Sequence, residues 1–477
     1  MARRRSESGF SEADLQAWVN DNLSSLLDLL GNLDDVSAKL RQRVEDFHST
    51  PKPRLIDSIR DALMATLDQK VLQTISALED GSELISLGCE FTLIESGLPG
   101  RSPAADILAL QSSTGAYAIV EVKKSASVAR QAITELSAYG QGLGNRYLGL
   151  NSFDAIWLIV STDYRPTLLE AIAYQILVAD RCILPIRANV IAKDGKIEEV
   201  ALEIVEVDQF PKQYSTDALF SRAVFDGVAV NFAEKVTSPE VALHFISNAC
   251  TRLGAAGFCF QVHASEVQEK EYMYPHGLYI GALNPFKLYH LSAQLRDLVE
   301  GGFEKRDSEE YEKCVFAGVH EDFDVDLRTF EVKWTPRSVD EDKTEAGDGL
   351  NFAGIPFEYS LYELSIRDTN SLKIVFQSIF EQLTEMHTGG TGAEVGGTDF
   401  AAMFFPYAGR PTYREDNISA IRYFGFLHDV VVHIAQQLLR TDPDFEGMTL
   451  ADIYESPRLL LKLISIGKTD NHGNIQL

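Results

Sequence analysis

Two carboxylates and an amine stand near the ends of neighbouring apolar runs in SPAADILALQSSTGAYAIVEVKK: Asp106 in the first, Glu121 and Lys123 in the second. The SSTG between the runs has the length and composition of a hairpin turn. On adjacent strands, Asp106 and Glu121 would offer oxygens from two directions to one hard cation such as Mg2+ or Mn2+, with the carbonyl of Val122 as a third donor. Such a cation polarises a phosphoryl oxygen and acidifies a bound water. Lys123 shares a strand face with Glu121, because side chains repeat every two residues, and would orient that water and offset the charge growing in the transition state. The expected chemistry is metal-dependent hydrolysis of a phosphodiester. An acid-x-lysine by itself is common on half-solvated strands. Here it follows the buried-type run AYAIV, so charge enters abruptly, and the next helix brings a terminus that attracts phosphate.

The elements that must position this trio are legible around it. SEADLQAWVNDNLSSLLDLL reads as a helix with Ser11 as N-cap and Asp14 in its first turn, DDVSAKLRQRVEDF as a second, and PRLIDSIRDALMATLDQKVLQTISALED as a long third between Pro53 and Gly81. Three short apolar runs follow, ELISLGCEFTLIES, ADILALQ and AYAIVEVKK, then a serine-capped helix, SASVARQAITELSAYGQGL. FDAIWLIVSTD reads as a strand, RPTLLEAIAYQILVAD as a helix, and CILPIRANVIA and EVALEIVEV as two more strands. This order predicts an α/β core built on a mixed sheet. The expected division is a helical lead-in over 1–80, the core over 81–210 and a separate α+β domain over 211–477. In that last part SPEVALHFISNACTRLG, PFKLYHLSAQLRDLVEG, SLKIVFQSIFEQLTEM and NISAIRYFGFLHDVVVHIAQQLL read as helices. FCFQVHA, GLYIGAL, CVFAGV and FDVDLRTFEVKW read as strands, and SVDEDKTEAGDG and HTGGTGAEVGGTD as mobile loops.

Taken together, the run from about residue 79 to 205 resembles the PD-(D/E)XK nuclease superfamily, the restriction-endonuclease-like fold, in which an Asp and an E-x-K lie on consecutive strands flanked by helices. The resemblance implies that Asp106 and Glu121 are metal ligands, with Val122 beside them, and that Lys123 is the catalytic lysine. It implies an auxiliary role for Gln131, with Tyr139 as its aromatic companion, although Glu135 stands at the commoner spacing. It also implies a further acid from the leading segment, for which Glu79, Glu83 and Glu90 are alternatives. The implied function is a Mg2+- or Mn2+-dependent endonuclease acting on DNA rather than RNA, in prokaryotic anti-phage defence. The C-terminal part would sense a ligand, recognise substrate, or assemble with a protein partner or a second copy. The alternative is a catalytically silent protein that keeps the nuclease fold for binding or assembly.

Composition narrows the field further. With 477 residues, 45% hydrophobic and 24% charged, the chain reads as two or three globular domains. It has no apolar run long enough to span a bilayer and no apolar segment after the leading arginines, so a cytoplasmic location without membrane contact is expected. The five cysteines lack zinc spacing, and Cys250, Cys259 and His263 match no zinc pattern. A net charge of -27 argues against broad nonspecific nucleic-acid binding, yet residues 101–150 hold five bases against three acids while 301–350 hold seven against fifteen. The trio sits on a locally basic stretch of an acidic chain. IGKT at 466–469 has Lys462 where a phosphate-binding loop needs its first glycine. Asp322, Asp324 and Asp326 lack the glycine and closing glutamate of a calcium loop. His428 and His433 are five apart and do not share a helix face.

Overall fold

The computed structural model describes residues 9–52, 55–79, 83–92, 104–124, 129–146, 155–208, 214–220, 224–232, 239–252, 254–262, 276–300, 393–398 and 418–464. Contacts divide the chain into two units, Met1–Phe47 with Leu63–Lys212, and His48–Ala62 with Gln213–Leu477.

The first unit opens with α1 (Glu12–Asp21), α2 (Leu33–Ser49), whose last residues belong to the second unit, and α3 (Leu55–Glu79), whose first residues do. Ser11 caps α1 in a reciprocal box: its hydroxyl accepts from the Asp14 N–H at 3.1 Å and the Asp14 carboxylate accepts from the Ser11 N–H at 2.7 Å. The expected single helix through Leu30 stops short at Asp21. Asn22 folds its side-chain amide back onto the Trp18 carbonyl at 2.8 Å, a short 3-10 turn follows, and the chain then stitches itself to a strand. Leu30 bridges to Leu202, and the Asn32 amide pairs with both the N–H and the carbonyl of Ile204 at 2.8 and 3.0 Å.

Six strands follow: β1 (Leu84–Thr92), β2 (Ala104–Gln111), β3 (Tyr117–Lys123), β4 (Ala155–Ser161), β5 (Cys182–Lys193) and β6 (Lys196–Ile204). They lie in sequence order in one sheet, antiparallel except for the β3–β4 and β4–β5 pairs. Each parallel step needs a crossover, supplied by α4 (Ala129–Arg146) and α5 (Pro166–Leu177). The result is a mixed α/β sheet. Its centre is β4, AIWLIVS, in which every residue is buried, as expected of a strand covered on both faces. Leu136, Tyr139 and Leu143 form the buried stripe of α4. Gly140 lets that helix press on the sheet: a Cβ there would lie 3.0 Å from Cζ2 of Trp157. A brace from Arg43 to the buried Asp68 carboxylate, at 2.5 and 2.8 Å, ties α2 to α3.

The second unit holds β7 (Phe225–Phe232), α6 (Pro239–Arg252), β8 (Gly257–Val262), β9 (His276–Leu283), α7 (Pro285–Glu300), β10 (Ala393–Thr398), β11 (Ile418–Phe424), α8 (Phe426–Thr441), α9 (Leu450–Tyr454) and α10 (Pro457–Ile464). Its five-stranded sheet is antiparallel throughout, in the order β10-β7-β9-β8-β11. Two expectations are corrected here. AEVGGT, read as loop, is a strand pairing with β7 from Ala393–Phe232 to Thr398–Gly227; its partner strand supplies the order that a glycine-rich sequence lacks. ISAIRYF, read as the start of a helix, is β11. The helix begins only after Gly425, whose φ of +62° no ordinary side chain adopts readily and whose Cβ would lie 2.3 Å from the Ala255 carbonyl. The expected elements at 314–319, 323–334 and 371–386, the loop at 338–349, Pro53, Gly81, the serine cap before α4, His263, Cys314, Asp322, Asp324, Asp326 and IGKT lie outside the described residues.

His433, on α8, is buried against His48, with Nδ1 2.9 Å from the partner's Nε2, while His428 is half exposed beside Asp429. Burial, and then His48, pull His433 down to about 4, with Asp429 opposing. A histidine lowered in this way takes up a proton in the unfolded chain first. Stability is therefore full above about pH 6.5 and declines as pH falls toward about 4, by up to roughly 3 kcal/mol. The protection factors of the α8 amides, with the intrinsic slowing of exchange toward acid taken out, should fall between about pH 7 and 5, and His433→Gln should flatten that dependence; unchanged pH dependence in the variant would count against it.

Candidate active site at the splayed end of two strands

The β2–β3 pairing runs from Leu110–Tyr117 to Ile107–Val120. The next two residues, Asp106 and Glu121, therefore stand opposite one another, with side chains on one face. The Asp106 side chain replaces the backbone ladder there, its Oδ2 accepting the Val122 N–H at 2.7 Å. In an extended strand a residue's N–H and carbonyl point the same way, so the Val122 carbonyl also faces the Asp106 side. Lys123, two residues beyond Glu121, returns to the same face. The turn geometry and the buried run AYAIV put all three where the strands part.

Further groups close in on this point, and of these sequence reasoning had not placed Glu12 or Gln16. The Lys123 ammonium contacts Glu121 Oε1 and lies 3.2 Å from Glu135 Oε2 on α4, 3.9 Å from Asp106 Oδ2 and 3.9 Å from Glu12 Oε1 on α1. Gln16 of α1 donates to the Asp106 carbonyl at 2.6 Å and to Glu90 Oε1 at 3.4 Å. Nothing local in the sequence signals Glu12 or Gln16, which lie 74 to 112 positions from their partners. Glu135 had a signal, since it stands one helical turn before Tyr139, whose hydroxyl donates to the Ala104 carbonyl at 2.7 Å. Gln131 lies on α4 one turn before Glu135; its side chain is outside the described residues.

The three acids left open separate clearly. All three are exposed, and it is their position that separates them. Glu83 sits at the far end of the hairpin, its N–H donating to the Ser112 hydroxyl at 3.1 Å. Glu90 lies between the Cys89–Ile107 and Phe91–Ala105 pairs and so stands opposite Asp106. Its φ of +50°, just past a register shift at Ser86–Gly88, is rare for glutamate. Backbone held this way is often found at functional sites.

Burial dominates the electrostatics. It pushes Asp106 up to about 6, against the Val122 N–H and Lys123, which favour the carboxylate. It pushes Glu121 up to about 9, helped by Asp106 and by the Glu135 carboxyl lying against it. Burial alone would pull the Lys123 ammonium down, but Glu121, Asp106 and Glu135 together hold it well above its ordinary value. The Glu121 and Lys123 shifts compete, since a protonated Glu121 no longer supports the ammonium. The direction for Lys123 is the firmer of the two, because Asp106 and Glu135 also hold it up.

The donors that a hard divalent cation would use here are the Asp106 and Glu121 carboxylates and the Val122 carbonyl. Glu121 Oε2 is buried and meets no hydrogen-bond donor, while the Lys123 ammonium lies against both Glu121 Oε1 and Glu135 Oε2. Among the described residues no three His, Cys, Asp or Glu side chains are grouped to hold a metal. Cys89 is exposed, and Cys182, Cys250 and Cys259 are buried free thiols. No helix among the described residues is long and apolar enough to cross a membrane. Comparison with models of known families, with curated proteins and with solved structures finds no match.

Proposed function

We propose that the first unit is a metal-dependent endonuclease of the restriction-endonuclease-like kind, hydrolysing phosphodiester bonds of DNA. One observation carries the reading: Asp106 and Glu121 face each other where β2 and β3 part, with Lys123 beside them and a Glu121 oxygen buried without a donor. Asp106, Glu121 and the Val122 carbonyl would hold Mg2+ or Mn2+. Bound there, the ion supplies Lewis-acid polarisation of the phosphoryl group and a more acidic water. Lys123, fixed between Glu121 and Glu135, orients the attacking water and donates to the phosphoryl oxygens as their charge grows. Glu90 and Gln131 are the auxiliary groups of this reading. The second unit would serve recognition, sensing or assembly with a protein partner or another copy, in a cytoplasmic anti-phage setting.

The test is cleavage of supercoiled, linear and single-stranded DNA and of RNA by the full chain, with Mg2+, with Mn2+ and with chelator. Metal-dependent cutting of DNA that disappears in Asp106→Ala is expected. Equal cutting by both proteins, or none by the wild type on any polymer, would overturn the proposal. A second reading, a silent nuclease fold used for binding, is favoured by the net charge of -27 and by the ion-paired state of Lys123. It predicts no Mn2+ heat in a calorimetric titration that Asp106→Ala alters.

A further inference from the structure

We infer that the backbone N–H of Lys124 and the ammonium of Lys123 form an anion seat, which the Glu12 carboxylate fills in the free protein and a substrate phosphate takes over. The inference rests on the nuclease reading for the identity of the anion. Glu12 Oε2 accepts the Lys124 N–H at 3.0 Å, and its Oε1 lies 3.9 Å from Lys123 Nζ.

The alternation of the strand explains the donor. Successive even residues at the end of β3 turn their N–H groups toward the parting strands, Val122 to Asp106 and Lys124 to Glu12. Lys124 is held from behind on both sides of its Cα. The Thr162 N–H donates to the Lys123 carbonyl at 3.3 Å, and the Thr162 hydroxyl to the Lys124 carbonyl at 2.6 Å. The Lys124 side chain is anchored as well, donating to the Phe10 carbonyl and lying 4.7 Å from the centre of its ring. The N–H is thus a fixed donor, of the kind that binds anions at low reorganisation cost.

Its present occupant is the one acid of the group that can leave. The Glu12 side chain is 41% exposed, against 16% for Asp106, 23% for Glu135 and 1% for Glu121. α1 itself stays in place, because Leu15 and Val19 are buried and its cap is made by Ser11 and Asp14 rather than by Glu12. Only the side chain has to swing.

Charge gives the exchange its purpose. Four carboxylates lie within 4 Å of Lys123, an unwelcoming place for a polyanion. Replacing the Glu12 carboxylate by a phosphodiester swaps one negative charge for another, whereas adding the phosphodiester beside it adds one. Glu12 therefore acts as an internal competitor that an incoming phosphodiester must displace.

The experiment compares wild type, Glu12→Gln and Glu12→Ala as full chains, by steady-state cleavage and by anisotropy of a labelled DNA duplex in Ca2+, with inorganic phosphate as competitor. Glu12→Ala should lower KM and duplex Kd about tenfold with kcat retained, the effect of removing one charge at contact distance from a half-exposed site. Phosphate should also compete better in Glu12→Ala than in wild type, with Glu12→Gln intermediate because its amide still accepts the Lys124 N–H. A collapse of kcat with weaker Mn2+ binding would make Glu12 a cation ligand and overturn the seat. Unchanged Kd in both variants would overturn it too. If no protein cuts but Glu12→Ala binds duplex more tightly, the seat stands and the nuclease reading falls.

Discussion

Lys123→Ala is expected to reduce DNA cleavage by about a hundredfold to a thousandfold at saturating metal, the usual loss when one donor to a developing oxyanion is removed. The side chain is almost wholly buried, so the variant cannot recruit a nearby surface amine in its place. Its second effect follows from the company it keeps. Asp106, Glu121 and Glu135 lose their shared counter-charge, and Asp106, already pushed up to about 6, rises further through the neutral range. A folded acid whose value lies above its unfolded one holds its proton more tightly in the fold. Stability is then fullest below the unfolded value and falls as pH rises toward the folded one. Lys123→Ala should therefore melt near the wild type at about pH 5 and clearly below it at about pH 8. Lys123→Met, which keeps most of the stem, should show the same dependence with less loss from packing. Cleavage retained within a few-fold, or a melting deficit equal at both pH values, would contradict the role given to the ammonium.

How far the site could be read in advance depends on sequence distance. Asp106, Glu121 and Lys123 are legible because a hairpin and a two-residue repeat bring them together, and local rules govern both. The order of strands and helices around them is legible for the same reason. Glu12 and Gln16 are not, because their places depend on α1 being held by Leu15 and Val19 against the sheet. Among Glu79, Glu83 and Glu90, the choice needed the register of β1 on β2 and the shift at Ser86–Gly88, which no periodicity reveals. In the second unit the apolar spacing of Ile418, Ile421 and Phe424 continues smoothly into that of Leu427 and Val431, so strand and helix share one period. Gly425 was the available signal for the break. AEVGGT carried none, since its order comes from β7, more than 150 positions away.

The same buried acid that makes the site chemically useful should make it a structural liability. In the metal-free protein Glu121 is pushed up to about 9 by burial, by Asp106 and by the contact with Glu135, whereas in the unfolded chain it ionises near its ordinary value. From about pH 5 to about 9 the unfolded state has lost a proton that the folded state keeps, so stability falls with rising pH across that window. Glutamine reproduces the protonated acid: its carbonyl accepts from Lys123 and its amide donates to Glu135, with nothing to ionise. Glu121→Gln should therefore be more stable than the metal-free wild type at about pH 8, by on the order of 2–4 kcal/mol, and about equal to it at pH 5. It should also be inactive, trading function for stability as buried catalytic groups commonly do. Adding Mn2+ should raise the melting temperature of the wild type at the higher pH and leave Glu121→Gln nearly unmoved, because the ion displaces the proton that the variant lacks. Thermal melts at the two pH values, with and without Mn2+, give all four terms. A variant less stable than wild type at about pH 8 would mean that Glu121 is ionised in the fold, that its pairing with Lys123 outweighs the desolvation, and that the carboxylate awaits no cation.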